Sequence, residues 1–297
     1  MGRRFFFGFS MFFALLALLA ADHFLGVTWF VWLFCTFMCL GGVFELARMF
    51  KFRGLPLDAG LLAFTTIVLL GYVQLLADPP RMGALARLWS GGEPHAEAVY
   101  HLFLLAPVAA CMFYPLVGLT FRDVGNLGPR IANNLGVFLY LIFPIAAILW
   151  LRRVPGAGEW LLYFLLAASR LGDVGAYLLG STLGRHKLIP WLSAGKTVEG
   201  AIGGLLFSAL GGTLILLWAN SVGPGLSAAL PHWWQGALLG GLVGITAQSG
   251  DLVESAFKRA AGIKDSGALV PTFGGVLDLM DNFMLTGPLL LIVLALL

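Results

Sequence analysis

The sequence predicts an all-α, polytopic integral membrane protein with about nine transmembrane helices. Three observations carry that reading. Hydrophobic residues make up 59% of the chain and charged residues only 11%, against about a quarter charged in ordinary soluble domains. The apolar residues fall into long runs, most of them near the ~17–25 residues a helix needs to cross a bilayer. The charges that do occur gather between the runs rather than within them. A soluble globular domain is thereby excluded. The formal charge of +3 says little by itself.

In chain order the runs fall near 5–21, 24–44, 57–77, 99–119, 131–151, 160–180, 201–219, 233–249 and 282–297. The first follows Arg3 and Arg4 and ends in small residues, much like a signal peptide. It is long for such a segment, and a second apolar run begins almost at once, so it is read as the first membrane helix. Cys35, Cys39 and Cys111 lie inside apolar runs, as small buried hydrophobes do. The five histidines are scattered without metal-ligand spacing. Segments 78–98 and 220–232 read as irregular connections, the first carrying Asp78-Pro79-Pro80 and Gly91-Gly92-Glu93-Pro94. No internal repeat is visible.

Orientation follows from lysine and arginine placement, because cytoplasmic loops carry the excess. With a cytoplasmic N-terminus, thirteen of the eighteen fall on the inside, among them Arg48, Lys51, Arg185, Lys187, Lys196, Lys258 and Lys264. Arg81, Arg87, Arg152 and Arg153 fall outside, and Arg170 lies within a span. This places the two polar regions on the cytoplasmic side.

The first polar region runs from Ser169 to Gly200. Arg170 and Asp173 stand three residues apart inside an apolar helix, where charge is costly and is usually functional or paired. Gly195-Lys196-Thr197 has the look of a phosphate-binding loop. The Walker pattern needs a glycine five residues before Gly195, however, and Pro190 stands there. What remains is a glycine turn ending in lysine and threonine before an apolar helix, suited either to a phosphate or to a plain solvated cap.

The second region, Gln248 to Asp281, crowds Asp251, Glu254, Asp265, Asp278 and Asp281 together with Lys258, Arg259 and Lys264 between two apolar runs. On a helix, Asp251, Glu254, Ser255 and Lys258 share one face, and Asp278 and Asp281 share another. Carboxylates mixed with cations at a membrane boundary suggest a metal and phosphate site.

The same stretch resembles the signature of the phosphatidate cytidylyltransferases, the CDP-diacylglycerol synthases. Ser255, Phe257, Lys258, Arg259, Lys264, Asp265, Gly267, Pro271, Gly274, Gly275, Val276, Asp278 and Asp281 match in register. The first region is similar to further elements of that family through Asp173, Gly175, Ala176, Tyr177, Gly184, Arg185, Ser193, Gly195, Lys196, Thr197, Glu199 and Gly200, and Gln248, Gly250 and Asp251 fit a third. The likeness covers roughly residues 170–288. Two family residues are replaced: Phe273 stands for a histidine and Leu279 for an arginine.

The resemblance implies a nucleotidyltransferase that joins phosphatidate to CTP, giving CDP-diacylglycerol and pyrophosphate in phospholipid biosynthesis. It implies Mg²⁺, alone or with a second cation, held by Asp251 and Asp278. Asp281, Lys258 and Arg259 complete the expected catalytic set. Ser193, Lys196, Thr197, Glu199, Asp173, Arg185, Gln248, Ser255, Lys264, Asp265, Gly274 and Gly275 are the expected substrate contacts. The expected partners are CTP, phosphatidate and the lipid bilayer, with a homodimer as a further candidate and no nucleic acid. The expected location is the inner, cytoplasmic membrane. Residues 1–155 are then N-terminal transmembrane helices and 156–297 the catalytic region. The losses at 273 and 279 keep open a paralogue that takes another substrate or binds without turnover. The intramembrane charges also suit an ion-coupled transporter, although such proteins usually show repeat symmetry.

Overall fold

The computed structural model describes residues 2–75, 105–120, 124–154, 156–223, 226, 230–263 and 275–296. Nearly all of them are helical, as the sequence predicts. The helices are α1 (Gly2–Leu25), α2 (Trp29–Phe52), α3 (Ala59–Leu75), α4 (Ala106–Gly118), α5 (Leu127–Leu151), α6 (Gly158–Thr182), α7 (Val198–Val222), α8 (Trp233–Ala260), α9 (Leu277–Met284) and α10 (Thr286–Leu296). Each predicted run overlaps one of these, the second beginning at the end of α1 and the last being shared by α9 and α10, while residues 76–77, 99–104 and 297 of the runs lie outside the described residues.

Among the described residues, α2, α5, α6, α7 and the stretch Leu277–Leu294 are long and apolar enough to cross a membrane. The helices α3 and α4 are shorter apolar helices. The apolar part of α8 is diluted by glycines and runs on into Asp251, Glu254, Lys258 and Arg259. A two-stranded antiparallel hairpin, β1 (Lys187–Ile189) and β2 (Ser193–Thr197), interrupts the helices between α6 and α7. Both strands are too short to show an alternating pattern.

The chain divides into two compact units, Ala14–Leu149 and Met1–Phe13 with Trp150–Leu297. In the first, the buried Asp22 carboxylate accepts the amides of Phe30 and Val31 at 3.0 and 3.2 Å and so caps the start of α2. Trp32 Nε1 donates to the Leu70 carbonyl at 2.8 Å, tying α2 to α3. Asp58 is bound by Arg130 Nη1 at 3.2 Å and Asn134 Nδ2 at 2.8 Å, which fastens the start of α3 to α5.

In the second unit α7 packs between α6 and α8 with unusually close backbones. A Cβ on Gly175 would meet the Gly203 carbonyl at 2.5 Å, and one on Gly203 would meet the Gly175 carbonyl at 2.6 Å. Such contacts are the membrane solution to helix association, where small residues let dispersion act over a long seam. They hold the polar ends of α6, α7 and α8 in one register, and the candidate site lies there.

Candidate functional site

The site grows from the polar end of α8. Helical spacing puts Asp251, Glu254 and Lys258 on one face, directed at α9. Lys258 Nζ lies 2.9 Å from Glu254 Oε2 and 2.6 Å from Asp278 Oδ1. The other Asp278 oxygen accepts the Gly275 amide at 2.9 Å, at the start of α9. Asp278 is therefore held by a lysine and a backbone amide.

Gly250 determines how near α9 comes. A Cβ there would overlap the Asp281 carbonyl oxygen. With no side chain in the way, the backbone of Asp281 rests against α8, and its carboxylate joins those of Asp251 and Glu254. One oxygen from each of the three lies within 4.8 Å of the others. Glu254 and Asp281 are buried, and Glu254 Oε1 has no hydrogen-bond partner among the described residues.

Glu254 and Lys258 lie beyond the apolar part of α8. Burial first, and the Asp278 carboxylate second, push the Glu254 carboxyl up to about 8, with Lys258 acting the other way. Burial also works to lower the Lys258 ammonium, but Glu254 and Asp278 outweigh it and hold it above its ordinary value. Carboxylates this close repel one another unless a proton or a cation intervenes. Three hard oxygen donors from two helices, with one buried oxygen to spare, fit a divalent cation of the Mg²⁺ kind.

The hairpin brings a second lysine. Lys196 Nζ is 2.7 Å from Asp251 Oδ2. It stands on a strand and is half-buried, where the sequence suggested a glycine turn suited to a phosphate or to a solvated cap. Thr197 Oγ1 accepts the Gly200 amide at 3.1 Å and caps α7. Gln248 Nε2 donates to the Ala201 carbonyl at 3.2 Å, which joins α8 to α7 beneath the lysine.

From α6, Asp173 receives Asn282 Nδ2 on both oxygens, at 3.0 and 2.8 Å. Arg170 Nη1 reaches Asp173 Oδ2 at 3.2 Å, and its guanidinium lies 5.3 Å from the centre of the Phe283 ring. Asp173 thus links α6 to α9 immediately beside Asp281.

Other expected site residues do different work. The Glu199 carboxylate accepts the amides of Arg185 and His186 at 3.1 and 3.2 Å and pairs with His186 Nδ1 at 2.6 Å, so it fastens the hairpin. Arg259 donates to the carbonyls of Leu192 and Ile263, each at 3.4 Å. Ser193 opens β2 opposite Ile189, Arg185 is exposed, and Ser255 is half-buried on α8. Lys264, Asp265, Phe273 and Gly274 lie outside the described residues. Leu279 is buried. Sequence reasoning put Glu254 on the right face without giving it a role, and did not single out Asn282. A neutral amide in an apolar run carries no charge signal.

The model of the cytidylyltransferase family matches residues 2–297. A protein of Escherichia coli (strain K12) named "Uncharacterized protein YnbB" is 36% identical over 194 residues, covering 64% of this chain and 62% of that protein. A protein of Staphylococcus saprophyticus named phosphatidate cytidylyltransferase is 38% identical over 146 residues, covering 49% of this chain and 53% of that one. Another of the same name from Synechocystis sp. is 45% identical over 121 residues, covering 39% and 37%. The chain therefore spans less than two thirds of the length of these relatives.

Proposed function

Because the chain belongs to the cytidylyltransferase family, we propose that it transfers the cytidylyl group of CTP to phosphatidate, giving CDP-diacylglycerol and pyrophosphate. The observation that carries the reading is the carboxylate set Asp251, Glu254 and Asp281, the last two buried, beside the hairpin lysine, Lys196. Both reactants are polyanions, and this site pairs oxygen donors for a cation with ammonium groups for phosphates.

In the transfer, a phosphate oxygen of the lipid attacks the α-phosphorus of CTP. The bond from that phosphorus to the bridging oxygen breaks, and pyrophosphate leaves. No protein nucleophile is needed, since the lipid phosphate is already ionised. A divalent cation supplies screening between the anionic attacking and leaving groups. Asp251, Glu254 and Asp281 would hold it, with Asp278 beside them on Lys258. Lys196, which pairs with Asp251 here, would turn to a nucleotide phosphate when Asp251 serves the cation. The face bearing the hairpin is the cytoplasmic one on the distribution of basic residues, which makes the inner membrane the expected site of action.

The test is a Mg²⁺ titration of CDP-lipid formation by purified protein in mixed micelles, with Asp251→Asn, Asp278→Asn and Asp281→Asn alongside. Turnover that depends on Mg²⁺ and falls on the order of 10²-fold or more in Asp251→Asn and Asp281→Asn is expected. Near-normal rates for both at low Mg²⁺ would remove the metal assignment. Phe273 and Leu279 favour one alternative, a protein that binds the lipid phosphate without turnover. It takes over when wild type binds phosphatidate yet forms no CDP-lipid at any Mg²⁺ concentration.

A further inference from the structure

Three cations reach the carboxylates of the site from the described elements, and their engagements differ. Lys258 is held between two carboxylates, and Lys196 is held by Asp251. Arg170 spends one N–H on Asp173, while its Nε is buried without a partner among the described residues. A guanidinium has five donors in a rigid planar fork, a shape that matches phosphate. A charged group in an apolar helix with donors left over is costly unless something else receives them.

The group is also held in place. Asn282 grips both oxygens of Asp173, Asp173 grips Arg170, and the Phe283 ring lies beneath the guanidinium. Leu279, where the resembling signature carries an arginine, is one helical turn before Phe283 on the same side of α9. A guanidinium absent from α9 is thus brought to that face from α6.

Position along α6 indicates which phosphate it meets. The C-terminal end of α6 leads into the hairpin, and Gly180 packs near Thr197. Moving back from the hairpin, the chain passes Ala176 and Asp173 before reaching Arg170, midway along the helix. Lys196 is therefore the cation on the hairpin side, and Arg170 is the one on the membrane side. A nucleotide arrives from water, whereas a phospholipid arrives from the bilayer.

We propose that Arg170, positioned by Asp173 and Asn282, binds the phosphate of the lipid substrate; the assignment rests on the transfer reaction proposed above. The experiment uses the full chain in mixed micelles and varies phosphatidate and CTP separately for wild type, Arg170→Gln, Arg170→Lys and Asn282→Ala. Arg170→Gln should raise the half-saturating phosphatidate at least tenfold and leave that for CTP within twofold. Arg170→Lys, which keeps the charge but not the fork, should fall between. Asn282→Ala should shift the same parameter less than Arg170→Gln. A shift in the CTP parameter instead would assign Arg170 to the nucleotide and overturn the proposal. An unchanged lipid dependence would reduce it to an ion pair with Asp173, and so would a loss of thermal stability with both parameters intact. Calorimetric titration of dihexanoyl-phosphatidate without CTP separates this from the reaction itself. If wild type makes no CDP-lipid, weaker binding by Arg170→Gln, or by Arg170→Lys should the first not fold, still supports the assignment. Equal binding by wild type and variant, or no binding by wild type, overturns it.

Discussion

Lys258 holds two carboxylates at once, and that fixes what its loss would do. Lys258→Met leaves Glu254 and Asp278 facing each other across a largely buried space. Breaking such a pair by removing one partner costs about 3–5 kcal/mol. The cost depends on pH. Glu254 binds its proton more tightly in the folded protein than in the unfolded chain, its carboxyl being raised to about 8 even with Lys258 present. Between the ordinary carboxylate range and about 8 the folded state then holds more protons than the unfolded one, so stability falls across that window and levels off above it, and without Lys258 the window extends to higher pH. The melting temperature of Lys258→Met in detergent should therefore drop further below wild type at pH 8.5 than at pH 6. A gap that narrows at high pH would contradict this ordering. Asp251, Glu254 and Lys258 were legible as one face because a single helix period relates them. The bond from Asn282 to Asp173 was not, since it joins residues 109 positions apart through the packing of α6 on α9. Arg170 was visible as a charge in an apolar run, but its spare donors were not.

At the scale of elements, the seams matter more than the helices they join. The apolar runs located the helices but not all of their ends, since α2 and α8 run on past the apolar stretch into polar residues, while burial in lipid demands helix wherever the chain is apolar. They could not show where backbones touch. Gly250→Ala should force α9 away from α8, costing about 1–3 kcal/mol as overpacking does, and should lower turnover by drawing Asp281 out of the cluster. Gly241→Ala on the same helix meets only Leu205 Cδ1 at 3.4 Å. It should be neutral, or stabilising by up to about 1 kcal/mol through helix propensity. Thermal unfolding and CDP-lipid formation measured on both variants check the contrast, and equal losses in the two would show that the seam is not decisive. The hairpin escaped the sequence reading for a different reason. Strands of three and five residues offer no period, and the glycine before Lys196 reads equally well as a turn. Its anchor is Glu199, whose carboxylate gathers the amides that the short ladder leaves unpaired.

For the whole molecule, the prediction is one of sidedness. Single cysteines placed at 187 and 232 in a chain lacking Cys35, Cys39 and Cys111 should react with impermeant reagent from opposite faces, 187 from the cytoplasm. Labelling of 187 from outside alone would invert the topology. The glycine seams have a last consequence, for how such a chain can diverge. Where helices meet peptide to peptide, the placement of the carboxylates is written into the backbone. The outward residues of α7, Ile202, Leu206, Leu210 and Leu214, are exposed. They are free to drift among apolar types as bilayers of different lipid composition require, so the outer coat can be exchanged while the chemistry inside stays where it is.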